Sequence, residues 1–209
     1  MGTTPTKRSY NSARRAQQAA QTRADVVAAA IELFSTRGWG GTTLAAVAEA
    51  AGVSVETIYN GFGSKTGLLR AAADASVTGD TDPVPLAERP EFQALGEGTL
   101  DERIERGVAL MTAIHERTAG VWQAIIEAAS GDDEVDGWRL ELEAGRQLDV
   151  GRSAEVILGR PTPERLRTVL WLLYSPEGYR KLVADEGMSP AAYRDLMTDV
   201  TRRLAAAFP

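Results

Sequence analysis

From Arg23 onward the apolar positions recur three and four residues apart, the spacing that gathers side chains on one face of an α-helix. Val27, Ala30, Ile31 and Phe34 define a first helix that stops at Gly38, with Trp39 after it as a core plug. Thr42 and Thr43 offer an N-cap to a short helix with Leu44, Val47, Ala48 and Ala51 on one side, and Gly52 ends it. Ser54 caps another short helix, in which Ile58 and Phe62 turn inward while Tyr59 and Asn60 point elsewhere. Gly63 breaks that pattern, and Ser64 starts a fourth helix through Leu68, Leu69 and Ala72 towards Val77.

Between Gly79 and Gly98 the chain carries Pro83, Pro85 and Pro90 among glycines and acids, which rules out regular helix. Helical stripes resume beyond it: Ile104, Val108, Met111 and His115; Val121, Trp122, Ile125 and Ile126; Val150, Ala154, Ile157 and Leu158. Thr162 as cap and Pro163 at the first helical position open a helix through Leu166, Val169, Leu170 and Leu173, and Ser189-Pro190 opens the last one, with Tyr193, Leu196, Met197, Val200 and Leu204 on one face. Strand alternation is absent, so the fold class expected is all-α. Residues 1–20, with no apolar stripe, are expected to form a flexible basic arm, 21–80 a small helical head, 81–99 a Pro/Gly-rich connector, and 100–209 a bundle of about five or six helices.

Charge sharpens that division. Residues 1–70 hold eight Lys or Arg against four acids, a balance of +4, whereas the remainder holds 15 against 25, a balance of −10. A basic head on an acidic body fits a chain of which one end meets a polyanion. No apolar run approaches the roughly 18 residues of a membrane span, and the polar N-terminus lacks the pattern of a secretory signal. A cytoplasmic location with no membrane partner is therefore expected. Without cysteine there is no disulfide framework, thiolate zinc site or cysteine nucleophile, and a single histidine excludes a His-rich metal site. Phosphate-binding and dinucleotide loops are also missing, and the acids at Asp132, Asp133, Glu134 and Asp136 lack calcium-loop spacing, so they are read as the start of a helix. Neither an enzyme nor a cofactor is expected.

Two short helices joined at Ala51-Gly52-Val53 form the helix-turn-helix arrangement, in which the second helix can enter the major groove of DNA. Such pairs also occur inside ordinary bundles. The order of residues narrows the choice: Ala30-Ile31-Glu32-Leu33-Phe34, Gly38-Trp39, Thr42-Thr43, Val47-Ala48, Ala51-Gly52-Val53-Ser54, Thr57-Ile58-Tyr59, Phe62 and Ser64-Lys65 resemble the DNA-binding domain of the tetracycline-repressor (TetR) family over about sixty residues. The tail around Ser175-Pro176-Glu177 and Gly187-Met188-Ser189-Pro190 also resembles one branch of that family.

The resemblance implies a homodimer on palindromic operator DNA, acting as a repressor that a small apolar effector releases. It implies that Thr42 and Thr43 face a phosphate, that Ser54, Val55, Glu56, Thr57 and Asn60 present the recognition helix to base edges, and that Tyr59 and Lys65 hold phosphates. Glu56, Gly61 and Gly67 depart from the family pattern, and each glycine costs up to about 1 kcal/mol in a helix. Those departures support an alternative, a helical ligand-binding or adaptor dimer whose head no longer binds DNA. His115 on an apolar stripe, with Trp122, Trp138 and Trp171, is either the lining of an effector pocket between residues 100 and 175 or plain core. The late helices at about 164–174 and 189–207 are either the dimer interface that the resemblance implies or an intramolecular face.

Overall fold

The computed structural model describes residues 7–82 and 84–208, and among these no strand forms. The head consists of α1 (Lys7–Gly41), α2 (Leu44–Ala51), α3 (Val55–Phe62) and α4 (Lys65–Thr78). Single-turn pieces at Leu86–Glu88 and Ala94–Gly96 flank α5 (Pro90–Gln93) in the connector. The body follows as α6 (Leu100–Ala129), α7 (Asp133–Leu158), α8 (Glu164–Leu173), α9 (Pro176–Arg180) and α10 (Pro190–Ala207), with a π-turn at Lys181–Asp185.

Local chemistry accounts for most helix ends. The Oγ of Ser54 accepts the Thr57 N–H at 3.1 Å and that of Ser64 accepts the Gly67 N–H at 2.9 Å. Thr99 and Glu102 form a reciprocal capping box at the start of α6. Asp132 accepts the N–H groups of Glu134 and Val135, which gives the acidic run a capping role at α7. At Gly38 the backbone leaves helical geometry (φ 67°, ψ −174°), the break expected there. Gly67, whose place in a helix looked costly, is required: a Cβ at that position would stand 2.0 Å from the Phe62 carbonyl oxygen.

Three expectations change. The arm is helical from Lys7, because no Pro or Gly interrupts residues 7–37 and Ala, Arg and Gln extend a helix without burial; its first six residues lie outside those described. The cap of α8 is Pro163 rather than Thr162, whose hydroxyl is buried without a partner. The connector divides the chain but not the packing. Val26, Phe34, Ile58 and Leu69 of the head share one core with Val121, Trp122 and Ile125 of α6 and with Val135 and Trp138 of α7. A second core lies at the other end of α6, where Ile104 and Val108 meet Ala154 of α7, Leu166 and Leu170 of α8, and Tyr193 and Met197 of α10. At about 1.5 Å per residue, the 30 residues of α6 span roughly 45 Å and join the two cores.

Candidate nucleic-acid interface and effector cavity

Ile58 is the fully buried anchor of α3, with Val55 and Phe62 half-buried beside it. Glu56, Thr57, Tyr59 and Asn60 are all exposed, and Tyr59 keeps 54% of its surface open. A short helix with one buried row and an open polar row has the shape that fits a groove. Ser54 works here as the cap, and its Oγ lies 2.9 Å from that of Thr57, so its hydroxyl is part of the helix start. Val55 packs against the head core, and less of it is presented outward than the sequence implied.

The two threonines before α2 divide their work. Thr42 is 1% exposed, and its hydroxyl lies within hydrogen-bond distance of the carbonyls of Leu33 (2.9 Å) and Gly38 (2.8 Å), where it ties the end of α1 to the turn. Its side chain is therefore not presented to a phosphate. Thr43 is exposed and caps α2 through the Ala46 N–H at 3.1 Å, leaving the start of that helix open to an anion. Lys65 also turns inward: its ammonium donates to the Trp39 carbonyl and sits 3.9 Å from the centroid of the Trp39 ring, and burial pushes its pKa down.

Three ties that residue spacing did not reveal fix the head. Arg23 of α1 donates to the Gly61 carbonyl of α3 at 3.0 Å and lies over the Phe62 ring, holding the C-terminal end of the recognition helix. On the body side, the Glu127 carboxylate accepts the Trp39 N–H at 2.8 Å, and Arg117 donates to the carbonyls of Ser76 and Val77 at the end of α4. The two helices approach closely, since a Cβ on Gly120 of α6 would lie 2.5 Å from the Cβ of Ser35.

In the body, a cavity of about 60 Å³ opens inside the second core, walled by Ile104, Val108, Met111, Ala154, Leu166 and Leu170 among others. Its polar lining comprises Ser153 and the hydroxyls of Tyr174 and Thr201, which lie 2.6 Å apart. None of the four residues expected to line an effector pocket does so here. Trp122 lies in the shared core, donating to the Glu177 carboxylate at 2.7 Å, and Trp138 lies there too, beneath the Arg70 guanidinium. Trp171 sits where α7 and α8 meet and donates to Glu143 at 3.1 Å. His115 is 1% exposed, one turn along α6 from the cavity wall at Met111. Burial, reinforced by the charge of Arg146, pushes its pKa down to about 4, so the imidazole is neutral near pH 7. Indoles at helical spacing filled core and seam, whereas the cavity formed where Ala154 and Ala205 leave room between aliphatic walls.

Residues 26–72 match the family model described as bacterial regulatory proteins, tetR family. That stretch, the head from α1 to α4, is of the tetR type. The chain is 49% identical over 51 residues to the HTH-type transcriptional regulator AlkX of Mycobacterium tuberculosis, a match covering 24% of each chain. A longer stretch, 102 residues at 35% identity, matches the HTH-type transcriptional regulator TtgR of Pseudomonas putida and covers 43% of this chain and 49% of that one. The matches thus span at most about half the length of these relatives, which are regulators by name and not enzymes. Over the whole fold, a tetR-family transcriptional regulator from Rhodococcus sp. superposes with a TM-score of 0.65 at 18% identity, covering 88% of this chain and 99% of its own. A second from Rhodococcus sp. RHA1 gives 0.57 at 17% identity, with 87% and 91% covered. At such identities the likeness is one of fold, and it extends the tetR arrangement from head to body. Among the described residues no helix is long and apolar enough to cross a membrane.

Proposed function

We propose that the protein is a DNA-binding transcriptional regulator that binds a palindromic operator as a homodimer and is released by a small, largely apolar effector. The observation that carries this reading is α3: one buried anchor, Ile58, beneath an open row of Glu56, Thr57, Tyr59 and Asn60. Asn60 and Thr57 can read base edges, Tyr59 can hold a phosphate, and Thr43 with the open start of α2 can hold another. The Glu56 carboxylate is repelled by phosphate, and it can accept from a cytosine amino group. Lys65 reaches DNA only by exchanging the Trp39 carbonyl for a phosphate.

A palindrome requires two recognition helices roughly 34 Å apart, hence two chains. The dimer face proposed is the outer side of α8 and α10, where Leu172 is 66% and Leu196 40% exposed. Most of the apolar stripe on those helices is used inside the subunit, by Leu166, Leu170, Tyr193 and Met197, so only the outward leucines remain for a partner. The effector is proposed to enter the aliphatic cavity. It acts by favouring a conformation in which the two heads no longer match the groove, to the extent that it binds the two states differently.

Selection of duplexes from a random pool by the purified protein tests this directly. A recovered inverted repeat with half-sites about one helical turn apart is the expected result, and enrichment of no sequence would refute it in favour of a body with a silent head. Leu172→Glu combined with Leu196→Glu should yield monomers at micromolar concentration in sedimentation and lose that enrichment.

A further inference from the structure

Among the described residues the body holds six buried polar atoms without a well-formed hydrogen bond: Arg103 Nε, the Thr162 hydroxyl, both ring nitrogens of His115, which has the Tyr174 backbone close by, and the hydroxyls of Tyr193 and Thr118. Buried polar groups nearly always find partners, since leaving one desolvated and unpaired is costly. His115 and Tyr193 are each 1% exposed. Tyr179 stands between them: its ring lies 5.6 Å from His115 and 4.8 Å from Tyr193, centroid to centroid, and Thr118 follows His115 by one turn of α6.

This polar cluster adjoins the aliphatic cavity. Val108 and Met111 of the cavity wall precede His115 on the same stripe of α6, and Tyr174, which lines the cavity, borders the cluster as well. We propose that cavity and cluster together form one site for an uncharged amphiphile, with an alkyl body among the aliphatic walls and a single hydroxyl, carbonyl or amide head against His115 and Tyr193. The proposal rests on the effector-binding reading above and adds to it the chemical class of the ligand.

Charge argues for a neutral head. Arg146, the cation whose field reaches His115, is already used: its guanidinium donates twice to Glu143 and to the carbonyls of Trp171 and Tyr174. An anionic head would find the Arg146 guanidinium already committed, and an ammonium would face a desolvated imidazole and buried phenols. A neutral head loses little on leaving water and supplies what the orphaned atoms lack. Imidazole can donate from one nitrogen and accept at the other, and the phenol can do either, so a hydroxyl is bound from two sides.

Protein-observed NMR titration of the full chain with n-hexane, 1-hexanol, hexanoate and hexylammonium tests the assignment. 1-Hexanol should bind at least tenfold more tightly than n-hexane and at least tenfold more tightly than either ion. Tyr193→Phe, which removes one oxygen and keeps the ring, should bring alcohol and alkane within about threefold, and His115→Phe should do the same if it folds. Equal binding of alcohol and alkane to the parent would overturn the polar half of the site while leaving an apolar effector cavity intact. Tighter binding of either ion would overturn the neutral head. Failure of all four probes to shift residues of the second core would overturn the site together with the effector reading, and operator selection would then show whether DNA binding stands alone.

Discussion

The two cores differ in how completely they are closed. In the seam core, Phe34 and Ile58 of the head and Ile125 of α6 are at most 1% exposed, and the polar groups beside them are tied, Thr42 to the carbonyls of Leu33 and Gly38 and Trp122 to Glu177. In the body core, the same helix meets a cavity and a cluster of unpaired polar atoms. A core filled to native density has one arrangement and resists change; one with empty space and unmet hydrogen bonds still has something to gain by binding. On the effector reading proposed above, the contrast between the two ends of α6 is functional: one end holds the head, and the other has room for a ligand.

If the seam is one core, Phe34→Ala in the head and Trp138→Ala in the body should each cost about 3–5 kcal/mol and shift a single unfolding transition in denaturant. Two separate transitions, each moved by only one of the substitutions, would show that the head packs independently. Acid should weaken the body core through His115. His115 has a folded pKa near 4 against 6.5 in the unfolded chain, so between those pH values the unfolded state binds the extra proton. Its contribution is complete above about pH 6.5, and it is lost as pH falls towards 4, a fall of up to about 3 kcal/mol. Urea titrations from pH 7 to 4 should show that slope, and His115→Phe should flatten it.

A matched pair of substitutions compares the packing itself. Ala30→Val adds two methyl groups to the closed core and should cost about 1–3 kcal/mol, whereas Ala154→Val, on the cavity wall, should stay within about 1 kcal/mol of the parent. Equal costs in thermal melts would mean that the body core is packed as tightly as the seam. The smallest effect belongs to the recognition helix, where a Cβ on Gly61 would meet nothing within 4 Å. Gly61→Ala should stabilise the head by about 0.5–1 kcal/mol through helix propensity, with the gain visible as slower amide exchange along α3.

The head was legible in the residue pattern because short helices write their ends in local chemistry: Ser54, Ser64 and the break at Gly38 can be read without knowing the fold. Ile58 and Phe62 inward, with Tyr59 and Asn60 outward, followed from spacing, although Val55 packs further in than expected. What spacing could not show was the use of groups across long separations. Lys65 bound to Trp39, Thr42 turned under α1, and Glu127 reaching back to Trp39 are decided by which helices meet, and nothing adjacent in the chain signals them. The tryptophans were poor guides to the cavity for the same reason. An empty space is defined by what is small, here Ala154 and Ala205 from two helices, and tryptophans announce bulk rather than room.

The decisive measurement is a fluorescence-anisotropy titration of the purified protein on a selected operator duplex and on its scrambled counterpart at one fixed salt concentration, repeated with Asn60→Ala and Tyr59→Phe. The parent should prefer the operator by at least about 10³-fold. Asn60→Ala should weaken operator binding by roughly 1–3 kcal/mol and leave the scrambled duplex unaffected, while Tyr59→Phe should weaken both alike. Equal affinity of the parent for the two duplexes would contradict the assignment of α3 as the helix that reads DNA.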